Sequence, residues 1–561
     1  MKSTSKIKFQ GSMTSEPIIA DADQIRINQV CIFLERSDIL LWTMWRCFNK
    51  NITYMTVDQN IPIERLTYMV ENAGVEVCIT SSQYKDTIPG IKKYIIIDSY
   101  EDLQKLSPYY GESTEAYMVF TSGTTGKPKG MRIKKESTLS FIKNFSELIP
   151  LKAKDRIICS TSANFDIFFV ETILAMYIGM DIVVADEGEK RSPKKLAALV
   201  ENEDVDILQI TPSRMQGIIA YDEELKGFHK LKTIMLGGEA LPINILKCLQ
   251  SNTNARIFNL YGPAEATIWA TVADLTDAQV VHIGKEIPEY HVYILDKENK
   301  IITNVESGQI AIGLPALSDG YMNQPDKTKE KFIHLSENGE YVYLTGDLGM
   351  KSGTGDFFFL GRMDRQVKIR GNRIELEEVE NALRSINGVR QVYVGKEDTE
   401  YGGKLIAFCI AEKDATREML EEHLKKSVPD YMIPEEFLFV DDFPTNTNGK
   451  VSGAELMELY RSGQSSEEAK LNMEYTNEVE RYIIEGIWEN MEKKTSELIT
   501  PETKLTDLSI NSILYVNIVV AMEEKYGVEF DEEHLIPSEL DSIGALAAYV
   551  IKLMNEKEES E

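Results

Sequence analysis

Short apolar runs of strand-forming residues recur up to about residue 350, and they constrain the fold more than any other feature of the chain. Examples are EVCIT (76–80), KYIIID (93–98), DIVVAD (181–186), DILQIT (206–211), KTIMLGGE (232–239) and ARIFNLYG (255–262). Such runs, ending in Gly, Ser, Thr or Asp and separated by helix-patterned stretches, indicate parallel α/β layers. A smaller unit follows FFFLGRMDRQVKIRG (357–371): helix ELEEVENALRSI, strands VRQVYVG and LIAFCIAEK, then helix TREMLEEHLKKS. That order is α+β. The Ser-rich stretch RSGQSSEEAK (461–470) reads as a linker. Beyond it, residues 471–561 form a helix-patterned tail with 7 basic and 21 acidic residues, a net charge of −14.

At 561 residues the chain exceeds one compact core, and the length prior gives three or four units. With 43% hydrophobic and 27% charged residues it has the composition of a soluble globular protein. The net charge of −29 argues against nucleic acid and anionic membranes as general partners. No apolar run has the length of a membrane span, and the polar start MKSTSKIKFQGSM lacks the apolar core of a signal peptide. The six cysteines (31, 47, 78, 159, 248, 409) contain no CxxC, so neither a disulfide framework nor a zinc site is supported. A cytoplasmic setting is expected.

The segment YMVFTSGTTGKPKG (117–130) places glycines, hydroxyls and two lysines behind an apolar strand. It is not a Walker loop: two residues, not four, separate Gly123 from Gly126-Lys127, and Pro128 stands where Ser or Thr would be. Proline also disfavours a helix opening at Lys127. Glycines nevertheless let backbone approach an anion while N–H groups and hydroxyls face its oxygens.

Four further segments follow in order: NLYGPAEATIWA (259–270), YLTGDLGM (343–350), GRMDRQVKIRGNRIELEEVE (361–380) and TNTNGKVSG (445–453). Together with TSGTTGKPKG they resemble the core motifs of the adenylate-forming superfamily, specifically the adenylation domains of nonribosomal peptide synthetases, over roughly residues 30 to 455. The resemblance implies an ATP site at Thr121, Ser122, Gly123, Thr124, Thr125, Gly126, Lys127, Lys129, Gly238, Glu239, Asn259, Tyr261 and Gly262, with Asp347 and Arg362 at the ribose. Tyr261 would stack on adenine, Asn259 would take its amino group, and Glu265 would hold Mg²⁺. Ala264 departs from the family, which often has Thr there against the α-phosphate. Lys450 is expected to stabilise the charge that builds on the α-phosphate as the substrate carboxylate attacks. Asp364 matches the hinge about which the small unit turns, its backbone rather than its carboxylate being required. That turn would replace Lys450 with the 368–373 face and bring Lys368 into the second half-reaction.

The tail segment TKLTDLSINSILYVNIVVAMEEKYGVEF (503–530) resembles a peptidyl carrier domain, with Ser512 where 4′-phosphopantetheine attaches. Asn511 replaces the usual Asp and keeps a cap-like side chain. The expected organisation is an N-terminally abridged adenylation core (1–362), a small lid (363–458), a linker (459–473) and an all-α, four-helix carrier (474–557). A partner could make good the abridged start, or the pocket could do without it.

By the same resemblance Asp166 pairs with a substrate α-amino group, which favours an α-amino acid over a fatty or aryl acid. Ile167, Val170, Gln209, Met235, Gly237, Leu260, Ile268 and Trp269 would line the side-chain pocket, a set like that of glycine-activating domains. The expected activity is ATP-dependent formation of aminoacyl-AMP and pyrophosphate, then thioester loading of the carrier. Rivals are alanine as substrate, an acyl- or aryl-CoA synthetase, and a non-catalytic scaffold. The implied partners are a small amino acid, a phosphopantetheinyl transferase and a condensation or other carrier-dependent enzyme acting in trans.

Overall fold

A computed structural model describes residues 6–7, 24–440 apart from 124–126, 223, 304, 400–402 and 412–414, then 443–444 and 451–467. Between 479 and 560 it describes all but 485–499, 502, 506–517, 520–521, 524, 529, 532–539 and 541. The chain divides into two compact units, Met1–Phe443 and Pro444–Glu561.

Two large sheets dominate the first unit. One has eight strands in the order Lys6–Ile7, Asp181–Val184, Arg156–Cys159, Ile207–Ile210, Thr233–Gly237, Arg256–Tyr261, Thr271–Asp274, Lys285–Glu286. Five strands, from Asp181–Val184 to Arg256–Tyr261, are parallel, Lys6–Ile7 and Thr271–Asp274 flank them antiparallel, and Lys285–Glu286 pairs antiparallel with Thr271–Asp274. The other has six strands, ordered Lys93–Ile96, Val77–Thr80, Gln29–Phe33, Thr53–Thr56, Glu115–Thr121, Lys129–Lys134. It is parallel up to its last pair, which is antiparallel. The six apolar runs quoted above all fall on these parallel strands, whose residues face packed helices on both sides and therefore need no polar alternation. A five-stranded antiparallel sheet (His291–Leu295, Ser307–Gly313, Phe332–His334, Tyr341–Lys351, Phe357–Arg362) completes the core.

The lid portion of this unit has a hairpin (Val367–Ile369, Asn372–Ile374), a three-stranded sheet (Val389–Glu397, Lys404–Ala411, Glu436–Phe439) and helices Leu376–Arg384 and Arg417–Ser427. Its own core gathers Ile374, Val379, Leu383, Val394, Ala407, Leu420 and Leu424. In the second unit, helices Gly453–Glu467 and Ile543–Ser560 are described, and Ile483, Ile484, Val519, Met522, Ile543, Leu546 and Val550 form an apolar core. The α/β reading with a strand-rich lid and a helical tail is borne out. Among the described residues no helix is long and apolar enough to cross a membrane.

Candidate active site

Strand pairing sets the nucleotide end of the site. Asp347 and Arg362 are register partners on adjacent antiparallel strands, so their side chains meet on one face. Arg362 Nη1 donates to Asp347 Oδ1 at 2.6 Å, and Tyr261 Oη donates to Asp347 Oδ2 at 2.6 Å. The opposite edge of the guanidinium grips Asp364, Nε at 2.9 Å and Nη2 at 2.6 Å. Burial works against the Arg362 cation, yet Asp364 and Asp347 raise its pKa above the usual arginine value. For Tyr261, burial first and Asp347 second push the phenol well up, so it stays a donor. Asn259 donates from Nδ2 to the His282 carbonyl at 2.9 Å.

The phosphate loop leaves strand Glu115–Thr121 and re-enters at Lys129–Lys134, with Thr121 and Lys129 as paired neighbours. The Thr121 hydroxyl is buried and has no partner among the described residues. Lys127 Nζ sits 5.0 Å over the Tyr68 ring, and buried Lys129 lies 3.3 Å from Glu375 Oε1. Glu265 is fully buried and accepts from Tyr321 Oη at 2.9 Å and from Arg373 Nη1 at 2.9 and 3.1 Å. Burial would raise this carboxyl, but Arg373, with help from Lys129 and Tyr321, holds it down to about 2. Glu239 accepts backbone N–H groups of Ser213 (3.0 Å) and of Gly371 in the lid (2.6 Å). No three metal-ligating side chains gather among the described residues. Magnesium on a nucleotide needs only one or two protein carboxylates besides phosphate and water, and Glu265 fits that part.

The candidate substrate pocket opens from a π-helical turn, Val170–Leu174, a geometry frequent at functional sites. Glu171 within it is fully buried and accepts from Ser160 N, Thr161 N and Thr161 Oγ1 at 2.6–2.9 Å. Gln209 ties this carboxylate to the pocket, donating to Glu171 Oε1 and the Ile167 carbonyl at 3.2 Å each. Asp166 Oδ1 accepts from Ile167 N at 2.9 Å. Burial, with the Glu265 charge second, pushes the Asp166 carboxyl up to about 7, against the pull of Lys368. Met235, Leu260, Ile268 and Trp269 are buried. The Trp269 indole lies so close over Gly237 that a Cβ there would be 2.6 Å from its Cη2. Nε1 of Trp269 and Oε1 of Gln209 are buried without partners among the described residues.

Two left-handed residues put Trp269 there: Thr267 at φ 61° and Ile268 at φ 74°. Such angles are strained for β-branched side chains and cost on the order of 1–3 kcal/mol each. Gly262 makes the bend possible, because a Cβ on it would fall 2.5 Å from the Ile268 carbonyl oxygen and 2.6 Å from Trp269 Cα.

The lid presents its 368–373 face to the core. Lys368 feels both Asp347 and Asp166, and burial lowers its pKa. Lys368 feels Asp347, Arg362 and Asp166, Asp166 feels Glu265, and Glu265 feels Lys129, so these charges form one electrostatically linked group to which Tyr261 is tied through Asp347. The Asp364 carboxylate is a bidentate partner of Arg362, a contact additional to the backbone role expected of this residue. Arg65, Tyr321, Arg373, Glu375 and Glu378 were not expected at the site. Thr124, Thr125, Gly126, Lys450 and Ser512 lie outside the described residues.

The model of the AMP-binding enzyme family matches residues 25–322, that of the AMP-binding enzyme C-terminal domain matches 378–450, and that of the phosphopantetheine attachment site matches 483–550. The chain belongs to the AMP-binding enzyme family: it is an adenylate-forming enzyme fused to a carrier domain. Its nucleotide substrate is accordingly ATP, and its carrier domain is of the kind that bears 4′-phosphopantetheine. It is 32% identical over 438 residues to the dimodular nonribosomal peptide synthase of Bacillus subtilis (strain 168), covering 75% of this chain and 18% of that protein. It is 31% identical over 439 residues to zwittermicin A synthase ZmaJ of Bacillus cereus, covering 75% of this chain and 83% of the relative. Among solved structures, the adenylation domain AlmE of Vibrio cholerae, in complex with glycyl-adenosine-5'-phosphate, shares the fold (TM-score 0.66, 21% identity, 78% of this chain and 89% of AlmE).

Proposed function

We propose that this chain activates a small amino acid, glycine before others, as aminoacyl-AMP with release of pyrophosphate, and then passes the aminoacyl group to the thiol of its carrier domain. Two observations carry the reading: the Asp166 carboxyl, which burial pushes up to about 7, and the buried Trp269 indole packed against Gly237. A carboxylate withdrawn from water calls for a cation, which the ammonium of an amino acid supplies. An indole occupying the side-chain space leaves little volume beyond the α-carbon. The glycyl adenylate held by AlmE is consistent with a glycine site on this fold.

In this reading the ribose hydroxyls bind Asp347 in place of part of its present contacts, and Tyr261 stacks on adenine. Ser122, Gly123, Lys127 and Lys129 face the β- and γ-phosphates, and Gly238 and Glu239 shape the adenine side. Glu265 would hold magnesium, which when bound offsets phosphate charge. Lys450 serves the first half-reaction by stabilising the oxygens around the α-phosphorus. Lys368 serves the second, its ammonium beside Asp347 and Asp166 standing where the adenylate would lie. Ser512 is the proposed attachment point for phosphopantetheine, so a phosphopantetheinyl transferase is a required partner and a carrier-dependent enzyme is the recipient.

An amino-acid panel in ATP–pyrophosphate exchange tests the reading: glycine is expected to give the highest kcat/KM, alanine a lower one. Activity with aryl or fatty acids and none with amino acids would move the chain to the CoA-ligase class.

A further inference from the structure

The helix Ile63–Ala73 meets the lid through Arg65 and Glu378, beside Gly123. Glu378, on lid helix Leu376–Arg384, has no exposed surface. Its Oε1 lies 2.6 Å from Arg65 Nη1, and its Oε2 accepts the Gly123 N–H at 2.8 Å. Arg65 is itself buried, its side chain 6% exposed. Close by, Glu375 faces Lys129 at 3.3 Å, and the Ser122 hydroxyl donates to the Arg373 carbonyl at 3.0 Å. Lys327 also lies within the field of Lys129, Glu375 and Glu378.

Removing a carboxylate from water costs several kcal/mol unless its partners replace the lost hydration. Here the partners are a guanidinium edge and a glycine N–H, a donor set that suits a phosphate oxygen equally well. The donors belong to the core and the carboxylate to the lid. Once the lid turns away, Arg65 and the Gly123 N–H are left as an anion seat without its anion. The nearest anion in the proposed reaction is the β,γ end of ATP, then pyrophosphate.

We propose that Arg65, a helix residue outside the loop, binds the pyrophosphate portion of ATP, and that Glu378 takes the same seat whenever pyrophosphate is absent. This rests on the reading of the loop as the phosphate site. The carboxylate of Glu378 and a phosphate oxygen then exclude one another, and Arg65 serves both. Because Arg65 strengthens both rivals, replacing it in the native chain leaves their balance nearly unchanged. The informative changes start from Glu378→Gln, which weakens the lid's claim and keeps the shape of the side chain.

Isothermal titration of the full chain with inorganic pyrophosphate, at fixed magnesium, reads the seat without requiring turnover. Glu378→Gln is expected to bind pyrophosphate about tenfold tighter than the native chain. Adding Arg65→Met to that variant is expected to weaken binding about tenfold, and Arg65→Lys, which keeps the charge, to fall between. Thermal unfolding of each variant verifies folding, and the lysine variant carries the test if the methionine one is unstable. Unchanged or weaker affinity in Glu378→Gln overturns the competition. Equal affinity of Glu378→Gln with and without the Arg65 changes overturns the role of Arg65. If the affinities move as stated while no amino acid supports exchange, the anion seat stands and the substrate assignment falls.

Discussion

Asp347 and Arg362 stand opposite one another across two antiparallel strands, 2.6 Å apart, and Arg362 holds Asp364 with its other edge. The proposed ribose anchor and the proposed hinge residue therefore share one guanidinium. Arg362→Lys keeps the charge and loses the planar fork. Charged hydrogen bonds of this kind are worth about 1.5–3 kcal/mol, so KM for ATP should rise roughly 10- to 100-fold. Steady-state exchange kinetics at saturating amino acid measure it, and an unchanged KM would separate Arg362 from nucleotide binding.

Asp166 gives a pH signature. Its carboxyl is raised to about 7 in the folded chain against an ordinary value near 4, so between these values the native state holds the extra proton. Folding stability from this group is full at low pH and declines as pH rises toward 7. Binding an ammonium requires the carboxylate, so KM for the amino acid should fall from pH 6 to pH 8. In Asp166→Asn that trend should flatten, and its melting temperature relative to the native chain should improve with rising pH.

Trp269→Leu opens the pocket floor. Losing most of a buried indole costs about 3–5 kcal/mol when the cavity does not collapse. Glycine KM should rise, and alanine or a larger amino acid should gain in kcat/KM relative to glycine. Competition between the two substrates in the exchange assay reads the ratio.

Gly262→Ala tests the bend from the other side. The added methyl meets the backbone of Ile268 and Trp269, which cannot yield as a flexible side chain would. A stability loss of about 1–3 kcal/mol is expected by urea unfolding, with a raised amino-acid KM.

Lys450 and Ser512 separate the two half-reactions. Lys450→Ala should lower adenylation by about 10²- to 10³-fold, the usual effect of losing one transition-state donor. Ser512→Ala should adenylate normally and fail to become aminoacylated, as followed by intact-protein mass spectrometry.

The sequence disclosed what repeats or what carries a motif. The parallel strands were legible because doubly covered strands are continuously apolar, and Tyr261, Asp347 and Asp166 because they sit inside recognisable segments. Glu378 was not legible. In ELEEVENALRSI its charge reads as the solvent face of an amphipathic helix, and only the approach of Arg65, 313 residues away in sequence, buries it. Arg65 in IPIERLTYM looks like any surface arginine for the same reason. Its one signal is position, because it lies beside Leu66 on the helix that packs toward the core. Asp364 carried a backbone role in the sequence, and its grip on Arg362, two residues away, is a side-chain contact that no hydrophobic pattern encodes.

The left-handed pair Thr267–Ile268 holds the Trp269 indole in place by confinement, since neither residue favours the conformation it adopts. Selectivity at the pocket floor is thus tied to how tightly the neighbouring interior is filled. Mutations well away from the floor that slacken this interior would let the peptide flip back, withdraw the indole and broaden the diet of the enzyme before any lining residue has changed.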